Sequence, residues 1–168
     1  MSRLYNDENN KFQIDLSQAN DDSTCSLHDI YKDIVSILND VDWIAVTDNE
    51  TLLIEFTHYE KRDDLPKGDR AEDKKLQIAR KYYGSMFYVF ARGMNKPVDF
   101  IWIAESIYLD NRIRNYYRES MTKWLPFKLQ ERREIKPTLI RQFRIFSVDD
   151  WNHEYPQFPL TKICNSAE

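Results

Sequence analysis

Residues 42–57 read DWIAVTDNETLLIEFT, and the fold turns on how this stretch is arranged. Two apolar runs flank Asp48-Asn49-Glu50, a turn-like tripeptide, so the pattern predicts strands over 42–47 and 51–58 joined as a hairpin. Asp42 opens the first strand, and Glu55 lies 13 residues later on the second. Pairing across a short turn brings the two carboxylates to one edge of a sheet. A buried carboxylate is costly unless something positive meets it. Two convergent ones repel each other, and a hard divalent cation relieves that repulsion. Mg²⁺ commonly takes one or two protein carboxylates and keeps several waters, and it can bind a phosphate oxygen and supply an activated water. The predicted metal set is therefore Asp42 and Glu55, with the backbone carbonyl of Phe56 as third ligand and Mg²⁺ or Mn²⁺ as the ion.

Upstream, Leu27, Ile30, Ile34, Ile37 and Leu38 recur at helical spacing behind Ser26 and Asp29, a capping-box pattern, which predicts a helix over about 27–39. Downstream, residues 59–72 hold a Pro, a Gly and many charges, the composition of an exposed loop. A long helix follows, with Leu76, Ala79, Tyr83, Met86 and Phe90 as its expected buried face and Gly93 as its stop. KPVDFIWIAE reads as a central strand and DNRIRNYYRESMTKWL as a second long helix, with Ile113, Tyr116, Tyr117, Met121 and Trp124 inward. TLIRQFRIFS reads as a fourth strand, and Ser147 with Asp150 caps a short helix. This order predicts an α/β fold, a mixed central sheet flanked by helices. The expected domain covers 25–160, after an irregular segment over 1–24 in which Phe12, Ile14 and Leu16 alternate as in a short edge strand, and before a tail over 161–168.

The 168 residues fit one domain with a real core. Only three glycines are present, and neither GxGxxG nor GxxxxGK[ST] occurs, which excludes Gly-rich phosphate loops. No apolar run approaches the roughly 18 residues a bilayer span requires, and the polar, acidic N-terminus resembles neither a secretory signal nor a transit peptide. Cys25 and Cys164 form no metal-spaced pair, so a reducing, cytoplasmic setting without membrane partners is expected. The net charge of −4 is unevenly spread: residues 1–66 hold 5 basic and 15 acidic side chains, and the remainder 19 and 13. Such asymmetry suits a chain with carboxylates in one region and anion contacts in another.

VDWIAVTDNETLLIEFT resembles the core of the PD-(D/E)xK phosphodiesterase superfamily, which includes restriction endonucleases, archaeal Holliday-junction resolvases and many repair nucleases. Residues 27–105 follow the family order of helix, Asp-bearing strand, turn, (Asp/Glu)-x-Lys strand, helix and strand. The resemblance implies a restriction-endonuclease-like single domain in which Asp42 and Glu55 bind Mg²⁺. It also implies Mg²⁺-dependent endonuclease activity, hydrolysing phosphodiester bonds in DNA, and a homodimer of the kind resolvase-like members form. Two positions depart from the pattern. Val41 stands where the family often has Pro, and Thr57 stands where it has the Lys that positions the attacking water.

A hydroxyl cannot replace an ammonium near a phosphate. Lys61, which shares strand parity with Glu55, and Lys75, on the flank of the following helix, are the expected substitutes. Lys81 falls on the opposite side of the expected helix face. Without such a lysine the chain is a catalytically inactive nuclease-fold protein, a nucleic-acid-binding or protein-interaction module. The plainer alternative is that Glu55 pairs with a basic side chain on the neighbouring helix. His28, His58 and His153 have no metal-ligand spacing, and Arg112, Arg114 and Arg118 are the expected phosphate contacts.

Overall fold

The computed structural model describes residues 2–21, 27, 28, 30, 31 and 38–163. Its main sheet has four strands: β3 (Trp43–Val46), β4 (Thr51–His58), β5 (Val98–Glu105) and β6 (Gln142–Phe146), in the order β3-β4-β5-β6. β3 and β4 form the expected antiparallel hairpin, in the register Trp43↔Ile54 to Val46↔Thr51. β5 and β6 join in parallel. The sheet is mixed, and each parallel crossover contains a helix. These are α1 (Asp69–Ala91) before β5 and α2 (Asn111–Met121) with the single turn α3 (Phe127–Gln130) before β6.

A second sheet packs on the other side. β1 (Leu4–Asn6) and β2 (Phe12–Asp15) form a hairpin, and β7 (Leu160–Lys162) adds antiparallel to β2. The N-terminal segment, expected to be irregular, thus carries two strands, and Phe12, Ile14 and Leu16 are buried. They join Trp43, Ile54, Phe56, Ile101 and Ile103 in one core, closed by Trp151 of α4 (Val148–Glu154). The opposite face of the sheet packs Ile44, Leu53, Phe100 and Trp102 against Ile78, Tyr82 and Val89 of α1 and Tyr117 and Met121 of α2. Period-two alternation in β4 therefore sends odd residues toward α1 and even ones toward the small sheet.

Several local readings hold. The Ser147–Asp150 capping box is formed in both directions. Gly93 sits at φ +67° just past α1, where the left-handed region favours glycine. Leu27, His28, Ile30 and Tyr31 are helical. Ser26, Asp29, Ile34 and Ile37, together with Cys25 and Cys164, lie outside the described residues. One reading holds only in part: Ala79 and Met86 are buried as expected, but Tyr83 and Phe90 are exposed, and the buried stripe of α1 centres on Lys75, Ile78, Tyr82, Ser85 and Val89. By helix geometry the stripe is rotated about 90° from the expected one. Tyr116, expected in the core, is exposed too, and stacks edge-on against buried Tyr117.

Candidate functional site

The β3–β4 register decides the meeting of the two acids. Continued one step past Trp43↔Ile54, it sets position 42 opposite position 55, and cross-strand partners share a face. That face looks at α1. Lys81, on α1, stands between the acids: its Nζ lies 2.7 Å from Glu55 Oε2 and 3.4 Å from Asp42 Oδ1. Asp42 Oδ2 accepts the Phe56 backbone N–H at 2.6 Å. The rotation of the α1 stripe explains why Lys81, placed on the far side by the sequence pattern, comes to the flank that overhangs the free edge of β4.

The Phe56 carbonyl is well placed. The N–H and C=O of a strand residue point toward the same edge. The Phe56 N–H points to the β3 side, where the ladder has already ended at Ile54, so its carbonyl faces the same opening as Asp42. Thr57 turns its hydroxyl to Trp102, accepting the indole N–H at 3.1 Å. The position that carries Lys in the family pattern thus serves to fix Trp102 against the sheet.

Neither expected substitute lysine reaches this opening. β4 ends at His58, so strand parity does not carry to Lys61, which is exposed in a capped turn with its backbone N–H on Asp64. Lys75 is buried, paired with Glu72 and 5.2 Å from the centre of the Tyr116 ring. Lys74 comes closer. Together with Lys81, Gln77, Thr57 and His58 it lines a polar cavity of about 320 Å³ around Asp42 and Glu55. Lys74 and Lys81 are seven residues apart, two helical turns, and so share a flank of α1.

The β1–β2 turn forms the rim. Asp7 accepts the backbone N–H groups of Lys11 and Phe12 at 2.7 Å each, and Asn10 takes φ 54°. This local bonding holds Glu8 and Asn9 at the cavity. A second acid pair elsewhere shows a contrasting arrangement. Asp99, fully buried, is held bidentately by Arg141, with both contacts at 2.6 Å, and Arg141 also binds Glu50. That cluster pins β6 at the far end of the sheet and is closed by its own cation.

The electrostatics separate Glu55 from the two lysines. Glu55 is pushed up to about 8, first by burial and then by Asp42, with Lys81 and Lys74 pulling it back only in part. Lys81 loses by burial but gains more from Glu55 and Asp42, and ends raised. Lys74 is lowered, by burial first. Lys81 is thus a fixed cation near neutrality, while Glu55 is the group able to exchange a proton there.

A pH effect on stability follows. A carboxylate ionising near 4.5 when unfolded and near 8 when folded makes the folded state bind more protons between those values. Stability contributed by protonated Glu55 is complete below about pH 4.5 and falls as pH rises toward 8. Urea unfolding at pH 5 and pH 8 is expected to show a loss of a few kcal/mol that Glu55→Gln removes. A slope unchanged by Glu55→Gln would contradict the assigned burial.

Among the described residues no group of three or more His, Cys, Asp or Glu side chains converges as a metal cage. The donor set is two carboxylates and a carbonyl, hard oxygens, with Glu55 buried and, as in the plainer alternative, already paired with a lysine of the neighbouring helix. That set fits Mg²⁺ or Mn²⁺, which bind few carboxylates and retain waters, better than Zn²⁺. No helix among the described residues is long and apolar enough to cross a membrane. Compared with known protein families, curated proteins and solved structures, the chain matches none.

Proposed function

We propose that the chain is a Mg²⁺- or Mn²⁺-dependent phosphodiesterase acting on DNA, with a restriction-endonuclease-like site. The observation that carries this reading is the convergence of Asp42, Glu55 and Lys81 at the open end of a hairpin, with both carboxylates facing one polar cavity. Asp42, Glu55 and the Phe56 carbonyl would hold the ion, which when bound polarises a phosphate oxygen and lowers the pKa of a bound water. Lys81 supplies the ammonium missing at position 57, from the helix instead of the strand. Its charge stands where negative charge accumulates on the phosphate. Lys74, on the cavity wall and without an ion-pair partner among the described residues, is placed to meet a neighbouring phosphate.

The alternative, a non-catalytic nuclease-fold module, is favoured by Thr57, whose hydroxyl is committed to Trp102, and by the ion pairs that satisfy Lys81 within the protein. Calorimetric titration with Mn²⁺ separates the two. The wild type is expected to bind one ion and to release a proton on binding, since a raised carboxylate must ionise to coordinate. Asp42→Asn should weaken that binding at least about tenfold. Cleavage of plasmid and branched DNA should require the ion and be lost in Glu55→Ala. Absence of Mn²⁺ binding and of cleavage in the wild type would leave the non-catalytic module.

A further inference from the structure

A second cavity, of about 510 Å³, opens beside the carboxylate site at the ends of β4 and β5, under the loop that enters α1. Its walls are apolar and aromatic, with Trp102, Tyr116, Tyr117, Leu65 and Ile113 among them. Polar side chains join these walls: Tyr59, Arg114, Lys67 and Glu72. The carboxylate of Glu72 is engaged by Lys75, which leaves the cavity's own cations in excess.

Two of those wall residues are unsatisfied. Three buried side-chain polar atoms among the described residues have no hydrogen-bond partner, and two of them, the Tyr59 hydroxyl and Arg114 Nε, belong to residues that line this cavity. Tyr59 is only 8% exposed. Burial, with Tyr117 and Glu55 adding to it, raises its ionisation, so the hydroxyl stays protonated at neutral pH and offers a donor. Arg114 Nε carries an N–H and can only donate. Leaving a buried donor unpaired costs about 1–3 kcal/mol, and an acceptor brought into the cavity by a ligand would relieve that cost at both residues.

We infer that this cavity is a binding site for a small planar aromatic ring bearing an anionic acceptor group, either a free aromatic carboxylate or a mononucleotide. The ring lies against the Trp102, Tyr116 and Tyr117 walls. The anionic group meets Arg114, with Tyr59 as second donor and Lys67 at the mouth. A cavity of this size, mostly apolar with a few convergent polar groups, is the usual form of a small-molecule site. The inference stands apart from the phosphodiesterase reading and shares no residue with the metal set.

The test is ligand-observed NMR on the full chain with four probes: indole-3-carboxylate, thymidine 5′-monophosphate, and the uncharged indole and thymidine. At least one anionic probe is expected to bind, and its neutral counterpart at least about fivefold more weakly. Tyr59→Phe and Arg114→Gln should each weaken the anionic probe by about tenfold, the scale of one lost hydrogen bond to a charged group. Tyr59→Phe removes a hydroxyl that bonds nothing, so its Tm should hold or rise, which separates lost binding from lost folding. Which anion binds better identifies the source of the ligand. Failure of both anionic probes, binding indifferent to charge, or binding unchanged in both variants would overturn the inference.

Discussion

Lys81→Met is expected to lower metal-dependent DNA cleavage by at least about 10²-fold, the loss typical of removing one preorganised charge-stabilising group from an active site. The same substitution should leave Mn²⁺ binding measurable, because the carboxylates that would hold the ion remain. It carries a stability signature as well. Lys81 is the only cation bonded to both acids among the described residues, and Glu55 is almost fully buried. Removing one partner of a buried pair typically costs about 3–5 kcal/mol, unless the stranded group takes up a proton. Glu55 is already raised, and losing Lys81 raises it further. The cost should therefore be small near pH 5 and grow as pH rises past neutrality. The double variant Lys81→Met with Glu55→Gln should recover stability at pH 8 without recovering activity. Cleavage at the wild-type rate in Lys81→Met would remove Lys81 from the proposed chemistry. A flat stability difference across pH 5 to 8 would show that its ion pair with Glu55 contributes little to the fold.

The hairpin was readable because its information is local. Two apolar runs over 43–46 and 51–58, and a short polar turn between them, are enough to mark the hairpin and its register. The register in turn places position 42 against 55. The N-terminal strands were harder to see because their partner is distant: β2 pairs with β7, so Ile14 meets Leu160. Nothing near residue 14 announces that pairing, although the alternation of Phe12, Ile14 and Leu16 marks a strand. Helix α1 misled for another reason. Its second half, KYYGSMFYVF, is rich in apolar and aromatic residues on nearly every side. Two stripes fit the helical period equally well, one through 76, 83 and 90 and one through 78, 82 and 89. Choosing the first put Lys75 toward the sheet edge and Lys81 in solvent. The structure chooses the second.

A signal that separates the stripes was present in two small residues. Gly84 and Ser85 are both buried in the middle of a long helix. A glycine there is unfavourable by about 1 kcal/mol relative to alanine and is retained where something must come close. Ser85 Oγ accepts the Val41 backbone N–H at 3.0 Å, and the Tyr31 hydroxyl donates to the Gly84 carbonyl. This small-residue face is where the chain enters β3 one residue before Asp42. The same contact that rotates α1 onto the chain at 39–41 thus swings Lys81 over the acids.

Gly84→Ala is accordingly expected to be among the most damaging single substitutions in the chain. A Cβ built at position 84 would stand 1.8 Å from the Asn39 carbonyl oxygen and 2.9 Å from its carbon. Both are backbone atoms, so no flexible side chain can give way. The gain in helix propensity from Gly to Ala, about 1 kcal/mol, would be outweighed by the overpacking. A net loss of about 3 kcal/mol or more is expected in urea unfolding, against an expected gain if residue 84 were an ordinary exposed helix position. The displacement has a direction. Relief requires α1 to move away from residues 39–41, which lengthens the Ser85–Val41 bond and draws Lys81 off Asp42 before it leaves Glu55, since the Asp42 contact is already the longer one. If the variant folds, cleavage should fall while Mn²⁺ binding stays measurable, although residue 84 touches neither carboxylate. A Gly84→Ala protein as stable as the wild type would mean that α1 does not pack on the chain at Asn39, and with it would go the placement of Lys81 at the site.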